Sequence, residues 1–72
     1  MELTIDKTNE QGNVVFFVMD GSRTASGPHS NADAAWLKAE IIAKAEAKRT
    51  GGKAIYTTAT NEPRAAWIVR NA

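Results

Sequence analysis

The segment between Ser30 and Gly51-Gly52 constrains the fold more than any other part of the chain. It is built from alanine, lysine and glutamate, with Trp36, Leu37, Ile41 and Ile42 set among them. These are strong helix formers, so the composition predicts one helix. Ser30 reads as its N-cap, and Asp33, three residues on, completes a capping-box pattern. Lys48 and Arg49 fall in the last turn, where cations favour the negative end of the helix dipole. Gly51-Gly52 supplies a left-handed stop.

A single helix cannot bury its own apolar side, so the flanking segments must supply a second layer. Glu2–Thr8 alternates polar and apolar residues, with Leu3 and Ile5 on one side, the period of a half-buried strand. Asn9–Asn13 is rich in turn formers and reads as a hairpin loop. Val14–Met19 is dense in β-formers and apolar on both faces, which predicts a strand central in its sheet. Asp20–Ser30 has loop composition, with Arg23-Thr24-Ala25 open to a strand reading beyond a turn at Asp20-Gly21. Ala54–Ala59 and Arg64–Arg70 form two further strands around a turn at Asn61-Glu62-Pro63.

The expected fold is therefore α+β: a four-stranded, largely antiparallel sheet packed on one helix, in the order β-β-α-β-β. With 72 residues it is one small domain spanning 1–72. The helix joins the second and third of these strands, which predicts that those two run parallel in direction.

At about 100° per residue, Ala32, Ala35, Trp36, Ala39, Ile42 and Ala43 share one helix side and should meet the sheet. Trp36 and Ile42 are expected to supply most of its apolar area. Leu37 lies opposite, among Asp33, Glu40, Lys44 and Lys48, with Ile41 as its i+4 neighbour. Either a strand edge or the 20–30 loop covers this pair, or it forms a small exposed docking stripe. Glu40 and Lys44 are spaced for an i,i+4 ion pair.

One helix covers one sheet face, yet apolar residues remain for the other. In the last strand Trp67 is expected to face the helix and Ile68 to face outward. An uncovered apolar back invites self-association, cover by the long loop, a protein partner or a nucleic acid. Leu37, Ile41 and Ile68 are the candidate partner-binding residues.

Chemistry is sparse. There is no cysteine, so no disulfide and no thiolate nucleophile or ligand. The lone histidine, His29, sits near Ser26, Ser30 and Asp33, but nothing in the sequence fixes a triad geometry, and a solvated loop histidine is the simpler reading. No set of ligands has metal-site spacing, and no cofactor is expected. Gly51-Gly52-Lys53 follows a helix instead of opening one, so it reads as a cap and not as a phosphate loop.

Net charge is +1, unevenly spread. Residues 1–35 hold two bases against five acids, and residues 36–72 hold seven against three. Lys44, Lys48, Arg49 and Lys53, extended by Arg64 and Arg70 and with Tyr56 to stack on a base, could contact phosphates. Dipole compensation at a solvated helix end explains the same residues.

The longest apolar run, Val14–Met19, is far too short to span a membrane. The N-terminus, with Glu2 and Asp6, does not read as a signal peptide. These features lead to the expectation of an intracellular, cytoplasmic chain. The small size, alanine-rich helix and missing catalytic residues resemble small phage- or mobile-element-encoded inhibitors such as anti-CRISPR proteins. The resemblance implies a non-enzymatic protein-interaction module. The alternative is a small nucleic-acid-binding protein that uses the basic helix end.

Overall fold

The computed structural model describes residues 1–58 and 65–71. Among them the chain forms β1 (Glu2–Glu10), β2 (Asn13–Asp20), β3 (Arg23–His29), α1 (Ala32–Thr50), β4 (Lys53–Thr58) and β5 (Ala65–Arg70). All strand pairs are antiparallel, and the sheet order is β3-β2-β1-β5-β4. The protein is thus α+β with one helix on an antiparallel sheet, but the sheet has five strands and the helix joins β3 to β4. The expected turn at Asn61-Glu62-Pro63, together with Ala59 and Arg64, lies outside the described residues.

The fifth strand is β3. Arg23–His29 carries small and polar residues and is mostly exposed, so it lacks the alternating apolar signal by which a strand is recognised. A two-residue turn at Gly21-Ser22, closed by the Asp20–Arg23 pair, starts it. This extra reversal corrects the expected strand directions. β2 and β4 run in opposite directions, and the two strands that the helix joins, the edges β3 and β4, run in the same direction. The apolar β2 is one in from an edge, and the amphipathic β1 takes the centre.

β1 and β2 join through Gln11-Gly12, whose φ values are 52° and 85°. Positive φ at both central residues gives the turn a twist that matches the flanking strands. The Asn9 side chain accepts a hydrogen bond from the Gly12 N–H at 3.1 Å.

The helix begins one residue later than Ser30 suggests. Asn31 is the N-cap, and its Oδ1 accepts from the Ala34 N–H at 2.8 Å. Asp33 lies in the first turn, where it favours the positive end of the dipole, instead of closing a capping box. Lys48 and Arg49 occupy the last turn, and Gly51 caps the helix in the left-handed region with φ 72°. The Gly52 N–H then reaches back to the Ala47 carbonyl at 2.8 Å.

Ala35, Ala39, Ala43 and Ala47 form the buried stripe of α1. They meet Leu3, Val18 and Val69, with Ile5, Phe16, Ala54 and Trp67 packed around them. Trp36 and Ile42, expected to supply most of the helix's apolar area, are half-buried flanks of this core. Since side chains alternate along a strand, Trp67 lies on the helix side and Ile68 on the outer side.

Gly52 fixes the helix end to the sheet. A Cβ there would stand 2.2 Å from the Arg70 carbonyl oxygen, a backbone atom that cannot swing aside. Gly52→Ala is expected to lower stability by roughly 1–3 kcal/mol, read by urea unfolding. An unchanged midpoint would show that the two segments do not approach so closely.

Candidate functional site

The outward side of α1 carries the largest exposed apolar residues of the helix. Leu37 is 59% exposed and Ile41 52%, and no described strand edge or loop covers them. Ala34 and Ala45 fall on the same side at helical spacing. The four make a narrow apolar stripe, with Lys38 and Lys48 at its margins. This geometry follows from the core: the alanine stripe faces the sheet, so positions about half a turn away face solvent.

Ile68 belongs to the other layer. It lies on the outer sheet face, half-buried, paired with Ile55 on β4, and Ile55 is 41% exposed. Val15, Phe17 and Met19 of β2 share that face. Thr4 and Asp6 of β1 stand between the two apolar sets, so the face is apolar on either side of a polar central strand. The structure therefore separates Ile68 from Leu37 and Ile41 by the thickness of the sheet and helix.

The four basic candidates also divide. Lys44 Nζ pairs with Glu40 Oε1 at 2.7 Å and stands 6.0 Å from the centre of the Trp67 ring. Arg49 is held by Glu46 through a two-pronged contact, its Nε donating to Oε2 at 3.1 Å and its Nη2 to Oε1. Lys48 is exposed on the outward helix side. Lys53 starts β4 directly opposite Arg70, and both lie on the outer sheet face. Lys44 and Lys53 thus serve different sides of the molecule, and two of the four cations already have carboxylate partners. Arg64 lies outside the described residues.

One cluster escaped the sequence reading. Tyr56 meets Trp36 edge-on at 5.7 Å and Trp67 at 5.5 Å, along the β4 side of the helix. Tyr56 and Trp67 are direct cross-strand partners. The pairing follows from the register of the last hairpin, which an expected turn at Asn61-Glu62-Pro63 leaves open by a residue.

His29 is half-buried, opposite Phe16, and its Nε2 shares a 2.9 Å hydrogen bond with Ser26 Oγ. It is therefore not the solvated loop histidine of the sequence reading. A serine–histidine pair needs an orienting group and a place for a substrate to act as a nucleophile. The described residues enclose no cavity and hold no group of three or more metal-ligating side chains. No described helix is long and apolar enough to cross a membrane.

Comparison of the chain with protein-family models, with curated proteins and with solved structures finds no match.

The hydrogen bond from Arg49 holds the Glu46 carboxyl below the usual carboxylate range, and the Arg49 charge adds to this. A depressed pKa means the contact is present at neutral pH and is lost as pH falls through the lowered value. Carboxyl NMR titration should place Glu46 below the ordinary carboxylate range, and Arg49→Gln should raise it toward that range. An unmoved titration in the variant would show that the contact does not persist in solution.

Proposed function

We propose that this chain is a non-enzymatic protein-interaction module that docks on a protein partner through Leu37 and Ile41. The exposure of these two residues, side by side on one helix face, carries the reading. The fold makes no use of them. Alanines fill the seam with the sheet, while two of the chain's larger aliphatic side chains face water. Residues at i and i+4 on a helix are the spacing by which an amphipathic helix enters a partner's groove. Lys38 and Lys48 border the stripe together with Asp33 and the Glu40–Lys44 ion pair, so the groove that fits it is apolar with a polar rim of mixed charge.

Such a module acts by occupying a surface, which requires no chemistry of its own. The resemblance in size and architecture to small phage- or mobile-element-encoded inhibitors agrees with this mode.

The nucleic-acid alternative draws less support, because Lys44, Lys48, Arg49 and Lys53 do not converge on one face and Lys44 and Arg49 are paired. It has a distinct signature: affinity for DNA or RNA that falls steeply with salt.

The experiment is quantitative affinity capture with the wild type, Leu37→Glu and Ile41→Glu, each checked for its fold by circular dichroism. Burial of one such side chain contributes about 1.5–3 kcal/mol, so each variant should recover the partner at least about tenfold less well. Undiminished capture by both folded variants would remove the helix stripe. Salt-sensitive retention on nucleic acid would put the alternative in its place.

A further inference from the structure

The sheet has two edges, and they are built differently. On β3, Pro28 has no N–H to offer, and the register with β2 shifts twice between Phe16 and Met19. Both features make a poor template for a further strand. On β4 the sequence Lys-Ala-Ile-Tyr-Thr-Thr contains neither proline nor glycine, and all six residues pair with β5 in unbroken register. The far side of β4 meets no described strand, so alternate N–H and C=O groups there point outward. Ile55 and Tyr56, 41% and 51% exposed, place an apolar side chain on each face of this edge. A regular, β-rich, uncovered edge strand is what natural proteins avoid leaving without a partner.

We infer that β4 pairs antiparallel with β4 of a second copy of this chain, giving a dimer with one continuous ten-stranded sheet. This surface is separate from the helix stripe and goes beyond the reading proposed above. An antiparallel pair related by a twofold axis through the sheet is self-complementary. It keeps both helices on the same side. With the axis at Ile55 or at Tyr56, that residue stands beside its own copy, and the two Trp36–Tyr56–Trp67 clusters become neighbours across the joint. Each Lys53 then lies toward the far end of its partner strand, away from the other Lys53. Parallel pairing would set the two lysines side by side and put the helices on opposite faces.

The difference between the edges also sets the size of the assembly. Once β4 is paired, both remaining ends of the joined sheet are β3 edges. These are blunted by Pro28 and the register shifts, so growth stops at two copies. An edge of six residues is a small contact beside the ~800 Å² per partner of a standard interface, and the dimer is accordingly reversible.

Sedimentation equilibrium and concentration-dependent amide exchange test this. At about 100 µM, the wild type should have twice the chain's mass and dissociate on dilution, in step with faster exchange of amides on the far side of β4. Ile55→Lys, with an unchanged circular dichroism spectrum, should be a monomer, and Leu37→Glu should remain a dimer. A wild type that is monomeric at this concentration would overturn the inference. So would β4 amides indifferent to dilution, or a dimer that Leu37→Glu breaks and Ile55→Lys does not. Because the wild-type measurements need no variant, the inference stays open to refutation even if Ile55→Lys fails to fold. Loss of the dimer leaves the helix-stripe reading untouched, and loss of capture by Leu37→Glu leaves the dimer untouched.

Discussion

The contact between four alanines and the sheet organises this molecule. Ala35, Ala39, Ala43 and Ala47 recur every fourth residue and form one buried line along α1. Alanine loses no side-chain entropy in a helix and lets the backbone come close to the layer beneath. The bulk of the core therefore comes from the sheet side, from Leu3, Val18 and Val69, with Phe16, Ile5 and Trp67 at its margins. Two consequences follow. The larger residues of the helix are displaced to its flanks and its outer face, and among the described residues the opposite sheet face meets no second layer. The surfaces available for recognition are by-products of how the core is filled.

The aromatic cluster shows the same logic at the edge. Trp36 is too large for the alanine seam and leans instead on Tyr56, which in turn leans on Trp67. Offset and edge-on ring contacts of this kind add to the area they bury. Lys44, tethered to Glu40, stands near the Trp67 ring and shields part of it. The result is a helix anchored along its β4 side while its outward face remains bare.

Much of this was legible in the residues. Helix composition, end charges and the glycine stop located α1, and the 3.6-residue period placed Leu37 outward with Ile41 toward one edge, while leaving open whether a strand edge or loop covers them. The cap moved from Ser30 to Asn31 because two adjacent residues could both serve, and the choice depends on which carbonyl and amide the turn presents. β3 was legible only as an option at Arg23-Thr24-Ala25 and was not counted, because an exposed edge strand has no buried face to write an alternation into the sequence. Missing it also inverted the expected relation between β2 and β4. The basic residues were legible as charges but not as a group. Arg70 shares the outer face with Ile68, as the period of the last strand implied, but Lys53 reaches that face through its register with Arg70, which composition does not encode.

The central claim is that Leu37 and Ile41 take no part in holding the fold together. The most direct test is the unfolding free energy of the double variant Leu37→Lys/Ile41→Lys, which keeps strong helix formers at both positions. Surface substitutions of this type change stability by no more than about 0.5 kcal/mol each, so the urea midpoint should stay close to that of the wild type. A loss of several kcal/mol, the size expected for buried aliphatic side chains, would show that the stripe belongs to the core and would contradict the account.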